Sequence, residues 1–196
     1  MSRVDLWLDD DDIAAASVSN NGGFLFEIPA DAVRKGNLDD PKDDKARASW
    51  TQRLQIVESK FYEDQANGEG DTKYPCITAE ISFQVPPNSA RPDGTPDPNS
   101  GKQHRVWLRV VPSAMKDKQH PKYKANNFAL GKLNGILRSI WGSQVFPSGV
   151  KINLGEYFGG DTPPVIHQHI VAEMRASKWN GKRRDEVSDL VPLEMQ

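Results

Sequence analysis

The chain has 196 residues, 37% of them hydrophobic, with a formal net charge of -2. That share is below the roughly 45–50% of an average globular chain, an average that also counts glycine, so much of the chain is expected to be loop around one domain. No run approaches the roughly 18 apolar residues of a membrane span, the first thirty residues lack the basic start of a signal peptide, and the single cysteine, Cys76, excludes an intrachain disulfide or a multi-thiolate metal site within the chain. A soluble protein of a reducing, cytoplasmic compartment is the expectation.

Charge is unevenly placed. Residues 1–44 hold eleven Asp/Glu and four Lys/Arg, a balance of -7, which leaves +5 for residues 45–196. Because salt screens charges over roughly 8–10 Å, a partner meets the local patch more than the net charge. Mild overall acidity therefore does not exclude a nucleic-acid partner.

In chain order, "DLWLDDDD" sets Leu6, Trp7 and Leu8 beside Asp9 to Asp12, and residues 1–48 read as an acidic, partly disordered arm. Within it, "FLFEIPADAVRKG" is expected to form a short strand or turn against the domain. The domain itself is assigned to residues 49–196.

"RLQIVESKFYED" (53–64) places Leu54 and Ile56 on one face but Val57 and Phe61 on the other, which predicts a bulge or sharp bend. "CITAEISFQV" alternates cleanly, with Ile77, Ala79, Ile81, Phe83 and Val85 on one side. A glycine-rich hairpin connects the two. Residues 86–103, with five prolines and two glycines, predict a long, mobile loop.

"HRVWLRVV" (104–111) turns Val106, Leu108 and Val110 one way and Arg105, Trp107 and Arg109 the other. "NNFALGKLNGILRSIWG" (126–142) has helical periodicity, with Asn126 or Asn127 as its cap, Gly142 at its stop, and Gly131 and Gly135 allowing close approach to a sheet. Residues 165–179 read as a long strand, Asn180-Gly181 as a tight turn, and "RRDEVSDLVPL" as the last strand.

The expected fold is mainly β: a five-stranded OB-fold (Greek-key) barrel with one helix between strands 3 and 4 and long loops. The order of elements over residues 50–194, the helix "NFALGKLNGILRSIWG" and the closing "HIVAEMRASKWNGKRRDEVSDLVPLE" together resemble the OB-fold single-stranded DNA-binding proteins of bacteriophages. The resemblance implies a non-enzymatic protein, without cofactors, that coats single-stranded DNA or RNA in replication or recombination in the host-cell cytoplasm. It also leaves room for a homo-oligomer and for replication or recombination proteins recruited by the acidic arm. One departure is plain, since many such proteins end in an acidic tail and here the acidic run is at the amino end.

Binding a flexible strand without reading its sequence requires cations for phosphates and flat side chains for bases. Candidates are Arg105, Trp107 and Arg109 on the third strand; Arg175, Lys178, Trp179, Lys182, Arg183 and Arg184 on the closing hairpin; and Lys60, Phe61 and Tyr62 with Tyr74 across the first hairpin. Trp107 could instead be covered by the arm or the long loop, and Phe61 could be core. His167 and His169, two apart on an expected strand, have the minimum spacing for a metal pair, but nothing in the sequence completes a site. There is no P-loop, nucleophile elbow or HExxH. A phage structural or assembly protein, or an oligosaccharide-binding barrel, are the alternatives. A neutral strand face would favour the structural role, and oligosaccharide binding would not need so many cations.

Overall fold

The computed structural model describes residues 25–27, 49–90, 94–147, 151–179 and 182–196. The expectations for most of the acidic arm and for the Asn180-Gly181 turn lie outside these residues. The elements are β1 (Leu25–Glu27), β2 (Ser49–Asn67), β3 (Lys73–Gln84), β4 (Gln103–Val110), α1 (Tyr123–Trp141), β5 (Lys151–Asn153), α2 (Leu154–Phe158), β6 (His169–Trp179) and β7 (Lys182–Val191).

Five strands form one antiparallel sheet in the order β4-β3-β2-β6-β7, while β1 and β5 form a separate two-stranded sheet. The chain is thus mainly β with few helices, an arrangement compatible with a β-barrel-like fold. Each neighbouring pair is antiparallel, so the two edge strands, β4 and β7, run in the same direction. Among the described residues no helix is long and apolar enough to cross a membrane.

β2 serves both halves of the sheet. Its first part, Ser49 to Gln55, pairs with β6, and Gln55 to Asn67 pairs with β3. The expected bend is present as a register shift between Ile56 and Glu58, which leaves Val57 as the extra residue. Before the bulge Leu54 and Ile56 are fully buried; after it the inward parity passes to Ser59, whose hydroxyl donates to the Phe158 carbonyl at 2.8 Å, and to Phe61.

The periodic apolar positions close the core. Ile77, Ala79, Ile81, Phe83 and Val85 of the β3 segment pack with Leu108 and Val110 of β4, Ile170, Ala172 and Met174 of β6, and Leu130, Leu133, Ile136 and Leu137 of α1. Gly135 brings α1 close to β7: a Cβ there would stand 3.4 Å from the Leu190 side chain. Gly142 ends the helix with φ +90°, a conformation that favours glycine.

Three expectations need correction. The strand foreseen over 165–179 begins only at His169, because residues 164–167 form a turn in which His167 has φ +65°. His167 and His169 therefore do not alternate along one strand. The helix starts at Tyr123, and Asn126 is not its cap: Asn126 lies inside the first turns, 1% exposed, where its Oδ1 accepts the Val111 N–H at 2.7 Å. The loop after β3, in its described part, is held by contacts. Asp97 accepts a buried hydrogen bond from Gln52 at 2.8 Å, and the Asp97 N–H donates to the Ser89 carbonyl, also at 2.8 Å.

The Asn126 bond ties the exit of β4 to α1. Replacing Asn126 by leucine leaves the Val111 N–H buried without an acceptor, and urea unfolding is expected to show a loss of about 1–3 kcal/mol.

Candidate nucleic-acid interface

Strand alternation builds the candidate face. On β4 the core takes Leu108 and Val110, which turns Arg105, Trp107 and Arg109 outward. The ladder sets Arg105 opposite Ser82 and Glu58, Trp107 opposite Glu80 and Lys60, and Arg109 opposite Thr78 and Tyr62. Three strands thus contribute to one surface. Trp107 is 49% exposed and Tyr62 41%, large exposures for aromatics, and the Arg105 guanidinium stands 5.9 Å from the Trp107 ring centroid.

The cations of this face are matched by carboxylates that the sequence reading did not include. Arg105 reaches Glu80 at 3.1 Å and Glu58 at 3.5 Å, and its Nε donates to the Ser82 hydroxyl, which in turn donates to Glu58 at 3.1 Å. Lys60 pairs with Glu58 at 2.7 Å, and Arg109 with Asp64 at 3.1 Å. Glu80 is the least exposed of the three carboxylates, its side chain 13% exposed, and Tyr62 Oη donates to its Oε2 at 3.5 Å. Three cations and three carboxylates leave the patch formally neutral.

Hydrogen bonds favour the ionised form of Glu58 and Asp64. The hydrogen bond from Lys60, then that from Ser82, lowers the Glu58 pKa, and Glu58 in turn raises that of Lys60. The Gln65 backbone N–H, helped by Thr78 and Arg109, lowers that of Asp64. Both carboxylates therefore stay charged to lower pH than an unperturbed carboxylate would.

Two sequence candidates lie apart from this face. Phe61 has the opposite parity and packs over α2, close to Gly155 and Gly159. Tyr74 is half-buried beside Ala66, Cys76, Val111 and Ala114, with its ring centroid 4.7 Å from that of His120. Arg175 is half-buried and pairs in register with Ser49 on one side and Glu186 on the other. The hairpin register continues through Ser177 with Arg184, Lys178 with Arg183, and Trp179 with Lys182, which fixes the backbone of the remaining basic candidates.

Between the two edge strands lies a cleft of about 740 Å³, with Phe83, Trp107 and Leu108 on one side, Phe128 and Lys132 of α1 below, and Asp185 at the base of the hairpin. Trp107 lines both the cleft and the outer face. Lys132 Nζ donates to the carbonyls of Val187 and Ser188, at the β7 bulge where the register shifts opposite Glu173 and Met174. Burial pulls its pKa down to about 8. Across the cleft, burial also lowers the pKa of His104, whose ring hydrogen-bonds the Asp185 backbone.

Among the described residues no group of three or more His, Cys, Asp or Glu is placed to hold a metal ion. The signal that would have found the paired carboxylates is parity. Once a bulge at Val57 is assumed, Glu58, Lys60, Tyr62 and Asp64 share a face, and the hairpin register then adds Thr78, Glu80 and Ser82.

Lys132 has a folded-state value below the unfolded lysine value of about 10.4, so the folded chain releases this proton first, and stability rises with pH between the two values. A lysine-selective NMR titration is expected to show one Nζ resonance with a midpoint near 8. That resonance should be missing in Lys132→Arg.

Compared with known proteins, the sequence matches no family model, and no curated protein gives a significant match.

Proposed function

We propose that the chain is a sequence-independent single-stranded DNA-binding protein, acting without catalysis in phage DNA replication or recombination, and that its sheet is an OB-type barrel opened between β4 and β7. The strand order β4-β3-β2-β6-β7, with α1 between the third and fourth of these strands in the chain, supports the OB reading. So do the parallel directions of the two edges and the cleft between them. The observation that carries the functional reading is the exposure of Trp107 and Tyr62 on one strand face, flanked by Arg105, Arg109 and Lys60.

Bases stacked on two such rings contribute about 1–3 kcal/mol each, or about 2–6 in all, whereas a micromolar complex needs about 8. Phosphate contacts must supply the difference. The basic register pairs of the β6–β7 hairpin, beyond the cleft, are the natural source. Binding then falls steeply as salt rises.

A second reading has its own observation. The carboxylate matched to each of Lys60, Arg105 and Arg109 favours a phage structural or assembly protein whose strand face meets another protein.

Fluorescence anisotropy of labelled single-stranded DNA, duplex DNA and single-stranded RNA, titrated at low and moderate salt, separates the two. The nucleic-acid reading expects tight, salt-sensitive binding to the single strand. Trp107→Ala should weaken it by about 1–3 kcal/mol, five- to 150-fold, and Arg183→Glu should both weaken it and flatten its salt dependence. Absence of binding at micromolar protein moves the assembly reading to first place.

A further inference from the structure

The strand face is unusual for a surface meant to hold a polyanion. Its aromatics are exposed while its cations are already engaged, so an incoming phosphate finds Arg105 bound to Glu80 and Glu58, Arg109 to Asp64, and Lys60 to Glu58. Any phosphate that reaches these cations must displace a carboxylate and then sit beside it. A ligand with charge alone gains an attraction and meets a repulsion of similar size. A ligand that also offers unstacked bases gains in addition the rings of Trp107 and Tyr62.

Resting on the single-strand reading above, we propose that Glu58, Glu80 and Asp64 are specificity residues: they neutralise the face toward polyanions, so that only a strand with accessible bases binds it, by exchanging phosphates for carboxylates at Arg105 and Arg109. The ligand class is single-stranded nucleic acid, and the rejected class is duplex DNA and other polyanions whose bases are absent or stacked inside. The geometry suits exchange. Arg105 and Arg109 are about half exposed; Arg105 keeps a second contact with the Trp107 ring, and Arg109 lies opposite Thr78 in the ladder. Glu80 stands opposite Trp107 in the ladder and accepts from Tyr62, so a carboxylate lies next to both rings.

The test uses isosteric amides, which keep an acceptor oxygen and remove the charge: Glu80→Gln, Asp64→Asn and Glu58→Gln in the full chain. Glu58 is the most exposed of the three at 36%, so Glu58→Gln carries the least risk to folding, which thermal unfolding followed by circular dichroism would check. Binding to a labelled single strand, to a duplex of the same sequence and to heparin is measured across a salt series. At low salt each variant is expected to tighten duplex and heparin binding by roughly fivefold, the scale of one charge pair at about 4 Å in water. Single-strand binding should tighten less, so that single-strand preference falls. The salt slope for the duplex should steepen by about 0.9 for each cation released to phosphate.

If the wild type binds single strands and the folded variants keep both their preference and their salt slope, the carboxylates are merely structural and the inference is overturned while the binding reading stands. If neither wild type nor variants bind any nucleic acid, the binding reading falls and the inference with it. Variants that bind duplex or heparin where the wild type binds only the single strand would support the inference in its strongest form.

Discussion

The extra residue at Val57 decides which side chains of β2 meet solvent. Alternation places every second residue of a strand on one face, so without a bulge Glu58, Lys60, Tyr62 and Asp64 would continue the inward parity of Leu54 and Ile56. Three ionisable groups and a phenol would then lie against the core, at a desolvation cost no local pairing offsets. The bulge reverses the parity, and Phe61 turns inward onto α2 while the polar set turns outward beside β3. The same bend lets one long strand pair with β6 in its first half and β3 in its second, which joins the two halves of the sheet.

With that parity set, the outer face follows from the ladder. Exposed ion pairs contribute little stability individually, typically about 0–1 kcal/mol. Their larger effect here is on potential: the arginines that flank Trp107 do not project an unbalanced positive field. Basic character is left to the β6–β7 hairpin, where the three register pairs from Ser177–Arg184 to Trp179–Lys182 and the Arg175–Glu186 pair contain five of the chain's bases. The bases of the hairpin and the exposed rings of Trp107 and Tyr62 therefore belong to different parts of the sheet.

Much of this was legible from one-dimensional pattern. Alternation gave the inward sets of β3 and β4, the switch between Ile56 and Phe61 gave the bulge, and Arg105-Trp107-Arg109 gave the exposed face. What the pattern could not supply was register across strands, which depends on turn geometry and on the bulge itself, and without register the carboxylates facing Arg105 and Arg109 have no identity. Two other features were hidden for related reasons. Asn126 looks like a helix cap in sequence because asparagine is a good one, yet its partner is the Val111 N–H, fifteen residues away. His167 sits in an apolar-polar alternation that reads as strand, but the chain turns there, and its N–H donates to the Ile56 carbonyl at 2.8 Å, next to the bulge.

The second bulge explains why the sheet has a cleft between its edges. At Ser188 the β7 ladder is interrupted, and the carbonyls of Val187 and Ser188 turn to Lys132 of α1. Those acceptors are no longer available to a strand approaching from β4, and Phe128 and the lysine stem fill the base of the gap. Near the other end, His104 reaches the Asp185 backbone and keeps the edges within side-chain distance of each other. The edges are therefore bridged by side chains where a closed barrel would use backbone hydrogen bonds. Two unpaired parallel edges would ordinarily invite another strand. Charged residues at the mouth, Lys102 and Arg105 on one side and Asp185 and Glu186 on the other, surround an apolar floor and make pairing with a foreign strand costly. Trp107 stands at the junction of this cleft and the outer face, so a change in how far the edges are separated would move its ring relative to Tyr62 and Arg105.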